Sequence, residues 1–337
     1  MTDATAQQPT AAPAVRRGPT IERHLVIVHQ PHWQALNDWR TIAERARNVD
    51  PTTGIIVVGA DRDNAKLREK AAQLPSLIFS PGPLGRFQPL RGRVYQGRQI
   101  RKFEQLQRLA AAGLPVPRTQ MLQPGIRLDP KVWGEHTIVK PTDIPTSSKG
   151  AGIQLMRTER VRYVAPQDYP ANHPGRFGPM VAQQFIDTGD RISAYRVLTL
   201  FGEPLYCQLS QAQEKRVDLG ADDGVLEGGT IAIQGVEENR LRIFKYEADV
   251  VALARAAHRA VPEIPLKGVD ILRDGRTGRL YLLELNPGGN TWHFSSRFLA
   301  EARAKAGPEH ERQRLAQLDA FGTAAHVLMG VTRREAE

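Results

Sequence analysis

Only one cysteine, Cys207, occurs in the 337 residues, so no internal disulfide can close and a cysteine metal site is excluded by the same count. It lies within an apolar strand-like run, where a buried structural thiol is the plainer reading than a nucleophile. Long apolar runs are missing too: none approaches the roughly 20 residues needed to span a bilayer, and no membrane segment is expected. Aromatic residues are scarce, at 6%, and the cations behind a net charge of +10 are spread along the chain. That pattern fits a polyanionic small ligand at least as well as nucleic acid, and nucleic acid is not the expected partner. Acids are absent locally as well. None occurs between Glu69 and Glu104, while Arg86, Arg91, Arg93, Arg98, Arg101 and Lys102 accumulate toward the end of that interval.

What is present is ordinary for a folded protein of two or three domains: 41% hydrophobic and 24% charged residues. Met1 to Thr20 is rich in Ala, Thr, Gln and Pro, and Arg16-Arg17 is followed by Gly-Pro with no apolar stretch. This reads as a disordered tail rather than an export signal, and the cytoplasm is the expected compartment.

The most informative stretch runs from Gly268 to Asn290. Two apolar strands, Gly268–Leu272 and Leu280–Leu285, flank a turn containing Asp274-Gly275 and read as a β-hairpin. Side chains alternate along a strand, so Glu284 and Asn286 share a face roughly 6–7 Å apart. If Gly275 stands opposite Arg279, Asp270 lies across from Glu284 with Cβ atoms about 4.5–5.5 Å apart. A slip of one residue would turn Asp270 to the other face. Like charges so placed call for a cation, and oxygen ligands alone select a hard one, Mg²⁺ or Mn²⁺. The plainer alternative is a hairpin with solvated acids, but Leu282, Leu283 and Leu285 bury both faces.

Elsewhere the pattern predicts a strand over His24–Val28, a helix near Trp33–Arg47, a strand over Gly54–Val58, a helix over Asn64–Leu74 and a short strand over Ser76–Phe79. This order suggests a parallel α/β unit ending near Gln99. His29, His32, Asp61 and Arg62 fall beyond its strand ends, the natural substrate edge, although a loop histidine is the commoner outcome. Lys102 begins a helix with Phe103, Leu106, Leu109 and Ala110 on one face, stopped by Gly113 and Pro115. Lys140, inside the strand Thr137–Pro141, is a lysine that needs an anion. The loop Thr146–Gly152 offers hydroxyls, free backbone N–H groups and Lys149 for holding phosphates, although a plain hairpin turn has the same composition. Further strands run over Val181–Ile186, Arg191–Phe201 and Glu203–Leu209, the last two turning about Gly202. Arg196 within them is open to a catalytic or a salt-bridge role. Helices over Glu247–Val261 and, highly charged, Glu309–Leu328 complete the chain.

With these parts in order, residues 100 to 295 resemble the ATP-grasp superfamily, whose members include D-alanine–D-alanine ligase, glutathione synthetase and glutamate-adding ligases. The resemblance implies an α/β and α+β ATP-grasp fold preceded by a parallel α/β domain. Its partition is a tail over 1–20, a substrate domain over 21–99, a central subdomain with a Gly-rich lid over 100–182, and a C-terminal subdomain with the metal site and closing helix over 183–337. Lys102 and Lys140 look like the family's two ATP lysines. Ser147, Ser148, Lys149, Gly150 and Gly152 resemble its phosphate lid. Gln183, Gln184, Phe185 and Ile186 are similar to the hinge that meets adenine, and Asp190 matches the ribose position. The family usually has an acid where Gln183 stands, although a Gln carbonyl can still accept from the adenine amino group. Asp270, Glu284 and Asn286 match its metal ligands in order and spacing, and Arg196 resembles its catalytic arginine.

The function so implied is an ATP- and Mg²⁺-dependent ligase. A carboxylate takes the γ-phosphate, and an amine or thiol, a peptide among the options, displaces it with release of ADP and phosphate. The alternatives are a small-molecule kinase of the same fold and an ATP-binding regulatory protein. Trp292 and His293 could line the acceptor pocket, with a packed indole and a loop imidazole as the plainer readings. Oligomerisation is left open.

Overall fold

The computed structural model of the protein describes residues 19–142, 152–216, 219, 225–227 and 240–337. The chain opens with β1 (Arg23–His29), α1 (Leu36–Val49), β2 (Thr53–Gly59), α2 (Ala65–Ala72), β3 (Ser76–Ser80) and β4 (Arg93–Gln96). These strands form a parallel sheet in the order β2-β1-β3-β4. Leu25 and Ile27 pack with Trp39, Ile42 and Ala46 of α1, while Val26, Val28 and Ile56 pack with Ala71 of α2 on the other face. Both faces are covered, which is why these strands read as unbroken apolar runs. Strand β4 is not expected from the sequence. It is an edge strand with Val94 36% exposed, so the one-sided burial that marks a strand is missing there.

After the parallel unit come α3 (Lys102–Ala111), β5 (Thr119–Met121), α4 (Pro130–Trp133), β6 (His136–Pro141), β7 (Gln154–Arg157) and β8 (Met180–Gln184). Next are β9 (Ser193–Leu200), β10 (Glu203–Ala212), β11 (Leu226–Glu227), β12 (Arg240–Phe244), α5 (Ala248–Ala260), β13 (Leu266–Arg273) and β14 (Leu280–Pro287). Two antiparallel sheets result, β11-β7-β6-β8-β5 and β12-β10-β9-β13-β14. The α/β unit followed by α+β sheets is the expected arrangement. The β9–β10 turn is a primed hairpin turn, with φ of 48° at Phe201 and 86° at Gly202, matching strand twist.

The end of the chain departs from expectation. In place of one charged helix over Glu309–Leu328 there are α6 (Ala300–Ala316), itself broken at Gly307 (φ 82°) before Pro308, and α7 (Ala320–Glu335), separated from it where Asp319 turns left-handed at φ 41°. Helix α7 is not a charged surface helix. Its Ala320, Ala324, Leu328 and Met329 are buried in the core that holds Leu25, Ile27, Leu77 and Phe79 of the first sheet. Glu337 then pairs its backbone with Ser76, at 3.1 and 3.3 Å. The same core takes in Leu198, Leu200 and Tyr206 of β9 and β10, joining the parallel unit to the second antiparallel sheet.

Candidate active site

A row of charges crosses the sheet β12-β10-β9-β13-β14. Arg196 on β9 pairs with Asp270 on β13, which pairs with Glu284 on β14. The expected facing of the two acids is observed, but by a different route. The hairpin closes with the Asp274 N–H donating to the Arg279 carbonyl at 2.9 Å, and Arg273 stands opposite Leu280. A regular ladder from there would place Asp270 opposite Leu283. The register shifts between Asp270 and Ile271, leaving Leu283 as the extra residue of a β-bulge, and Glu284 comes opposite Asp270.

Arg196 holds Asp270 with both arms of its guanidinium, Nε to Oδ1 at 2.6 Å and Nη2 to Oδ2 at 2.5 Å. Asn286 donates its amide N–H to the same Oδ2 at 2.9 Å. The salt-bridge role left open for Arg196 is therefore present. Lys102 ends the row, with Nζ 3.0 Å from Glu284 Oε2. Its placement follows from an edge contact. Strand β14 is the sheet's edge, and its free N–H groups are taken by α3 and the segment after it: Leu285 donates to Gln105 Oε1 at 2.9 Å and Leu282 to the Pro115 carbonyl at 2.8 Å. One helical turn before Gln105 stands Lys102, directly over Glu284.

Lys140 reaches the same place from the other antiparallel sheet. Lys102, Phe103, Lys140, Thr142, Val181 and Glu284 line one crevice between the two sheets. Among the described residues the Lys140 ammonium has neither a hydrogen-bond nor an ion-pair partner. Burial lowers its pKa to about 8, with the field of Lys102 pushing the same way and that of Glu284 opposing. Burial also pushes Glu284 upward, but Lys102, Lys140 and Arg196 outweigh it and hold the carboxyl below its ordinary value. For Asp270, burial and the neighbouring Glu284 win against Arg196, and the shift is upward.

Among the described residues no cluster of three or more His, Cys, Asp and Glu could hold a metal. A metal at this row would rest on two carboxylates and the Asn286 amide, a hard oxygen set. The three donors on Asp270 leave about one of its four lone-pair positions, whereas among the described residues Lys102 is the sole cation paired with Glu284. The residues fit a hard divalent ion, with Glu284 as the most available ligand.

The other expected residues lie apart from this row. Gln183 is 1% exposed and donates to Thr119 Oγ1 at 2.9 Å, while Gln184 accepts from the Arg118 N–H at 3.3 Å. Thr119 also lines the crevice, so Gln183 sits behind its wall. Phe185 lies under the Arg216 guanidinium, Ile186 is buried, and Asp190 is at the surface beside Lys215. Ser147, Ser148, Lys149 and Gly150 fall outside the described residues, as does most of the Ala221–Gly229 loop. Gly152, at the end of the lid segment, is left-handed at φ +71° against Pro174. A larger cleft, lined by Tyr163, Tyr169 and Phe177, contains none of the row's residues. Trp292 is a packed indole, stacked on Trp39 at 4.3 Å and donating to Asp38 at 2.8 Å.

Sequence reasoning missed the backing of the row. His293 lies in a turn, as expected, but is buried there between Arg196 and Tyr206. It also missed Lys267, whose signal was a lysine three residues before Asp270 at the start of an apolar strand. The parallel unit abuts the row's exit: a Cβ on Gly97 would lie 2.1 Å from the Pro81 carbonyl oxygen and 2.9 Å from Gly288 Cα, so only glycine fits there. Gln34 donates to the Gly289 carbonyl at 2.8 Å, fastening the first sheet's β1–α1 loop to the turn after Asn286.

No family model matches the chain, and no curated protein matches it in sequence. Among solved structures it is similar to the ATP-grasp ligase PsnB complexed with a minimal precursor, at 17% identity and TM-score 0.48, over 92% of this chain and 99% of that one. Others are the D-cycloserine synthetase DcsG, at 16% identity and TM-score 0.45 over 90% and 99% of the two chains, and D-alanine–D-alanine ligase from Bacillus anthracis complexed with ATP, at 12% identity and TM-score 0.46 over 94% and 98%.

Proposed function

We propose that the crevice binds the phosphates of ATP and that the protein is an ATP-dependent ligase joining a carboxylate to an amine or thiol. The observation that carries this reading is the meeting of Lys102, Lys140 and Glu284 in one crevice, with the Arg196–Asp270 pair directly behind Glu284. Two lysines, one from the start of α3 and one from β6, converge on a space in which, among the described residues, Lys140 lacks any protein acceptor, the arrangement a polyanion requires. Asp270, Glu284 and Asn286 are the residues that would hold Mg²⁺, or Mn²⁺ in its place, and the ion would supply charge neutralisation for the phosphates.

The chain's own groups then have separable tasks. Lys102 and Lys140 bind and orient phosphate oxygens. Arg196 has five N–H donors, of which Asp270 engages two and His293 one, so two remain to stabilise an oxyanion of the transferred phosphoryl group or of the acyl adduct. Asp270 keeps that guanidinium charged and fixed. Attack of the substrate carboxylate on the γ-phosphate gives an acyl phosphate and ADP. An amine or thiol then displaces inorganic phosphate.

The test uses a matrix of amino acids and short peptides as carboxylate and acceptor, with ADP and inorganic phosphate measured together. Equal release that requires both partners supports the ligase. ADP formed with its phosphate retained on a stable organic product would overturn it in favour of a kinase. Glu284→Gln keeps shape and removes one charge, and is expected to lower Mg²⁺-dependent turnover on the order of 100-fold or more.

A further inference from the structure

Behind the row lies a buried chain of polar groups. Tyr206, fully buried, has its hydroxyl 2.6 Å from His293 Nδ1, and His293 Nε2 lies 3.4 Å from Arg196 Nη1. Arg314, 5% exposed, donates to the His293 carbonyl at 3.0 Å, lies over the Tyr206 ring and is itself paired with Glu311 at 2.8 Å. A guanidinium can only donate, so a proton on Nε2 would oppose an Arg196 N–H head-on. The lone pair must therefore face Arg196, and the proton must sit on Nδ1, where the Tyr206 oxygen accepts it. Burial, with the charges of Arg196, Arg314, Arg242 and Arg303 acting the same way, holds the ring's pKa well below its ordinary value and keeps it neutral.

We propose that His293 is a positioning residue: its Nδ1-protonated tautomer, set by Tyr206, orients Arg196 for the oxyanion through the arm that Asp270 leaves unheld. Asp270 fixes one edge of the guanidinium plane, and His293 meets the nitrogen at the opposite corner. Rotation of the guanidinium about its Nε–Cζ bond is thereby opposed at both ends. The effect on rate rests on the role of Arg196 proposed above, whereas the tautomer and the restraint on Arg196 stand without it.

The experiment is nitrogen-15 NMR of the full chain, with the His293 ring assigned by His293→Gln and the Arg196 guanidinium by Arg196→Lys. The expected result at neutral pH is a neutral His293 protonated at Nδ1, with separate, slowly exchanging Nη signals from Arg196. Tyr206→Phe is expected to shift the ring toward the Nε2-protonated form and speed the exchange of the Arg196 Nη protons. His293→Leu should speed that exchange further, and His293→Gln, which keeps an acceptor, should restore part of the protection. An Nε2-protonated or charged ring in the wild type overturns the proposal, as does Arg196 exchange indifferent to all three substitutions. A substitution that unfolds the chain is recognised by its amide spectrum, and the wild-type tautomer alone then decides. If the tautomer is as stated and no ligation is found, the ligase reading fails and this one holds. With an active substrate pair, Tyr206→Phe should lower kcat about tenfold with the KM for ATP unchanged, the split expected when only a transition-state contact is lost.

Discussion

Two lysines lie inside apolar strands of this protein, and their surroundings are opposite. Lys267 on β13 is fully buried, and its three ammonium donors meet three acceptors: the carbonyls of Val261 and Ile264 at 2.5 and 2.7 Å, and His258 Nδ1 at 2.7 Å. His258 stands in the last turn of α5 and Val261 and Ile264 follow it, so Lys267 ties the end of that helix to the sheet. Lys140 on β6 faces the crevice with no acceptor in contact among the described residues. Burial is the leading cause of a depressed pKa in both, to about 7 for Lys267 and about 8 for Lys140. The shift alone therefore does not distinguish a structural lysine from one awaiting a ligand. The acceptors do, because a desolvated ammonium whose donors are all met by the protein has nothing left to offer an anion.

The largest effect expected from this contrast is on folding. Lys267→Met strands two buried carbonyls and should cost about 2–6 kcal/mol in denaturant unfolding, each unpaired group contributing about 1–3 kcal/mol. ATP affinity should stay unchanged. Loss of ATP binding in a folded Lys267→Met protein would break the contrast from one side.

Lys140→Met breaks it from the other. Its expected loss is about 1.5–3 kcal/mol of ATP binding, roughly 10- to 150-fold by calorimetric titration, with no loss of thermal stability. A destabilised protein with normal ATP affinity would make Lys140 a second structural lysine.

A smaller, graded effect comes from pH. The charged form of Lys140 binds phosphate, so ATP affinity should be level below pH 7 and fall as pH rises through about 8, by at most tenfold per unit. The fall should be absent in Lys140→Met. Smaller still is the influence of Glu284, which opposes the depression of the Lys140 pKa. In Glu284→Gln the midpoint of the pH dependence should move to lower pH, and an unchanged midpoint would mean the two groups do not face each other.

The parts of the site that lie along one strand were legible in the sequence, and those that depend on packing were not. Asp270, Glu284 and Asn286 follow from alternation, but their facing depends on the Leu283 bulge, which no residue announces. Lys102 follows from the helix start, although what holds α3 on the edge strand is Gln105, an ordinary helix residue in sequence. His293 and Tyr206 are 87 positions apart and meet only through tertiary packing. In the fold, the parallel unit was readable from its apolar strands. The edge strand β4 was hidden by exposed arginine and valine, and the break at Asp319 has no Pro or Gly at it or beside it to announce it. The return of α7 to the first sheet is carried by its alanines, which suit a helix anywhere.

The central claim is that the crevice of Lys102, Lys140 and Glu284 is a site for ATP with a divalent cation. It is tested most directly by calorimetric titration of the wild-type chain with ATP, with Mg²⁺ and again with the metal chelated. The expected result is one saturable site per chain that is weakened by chelation, and weakened further by Lys140→Met. Absence of saturable binding with Mg²⁺ present, or binding that ignores both the metal and Lys140, would contradict the account.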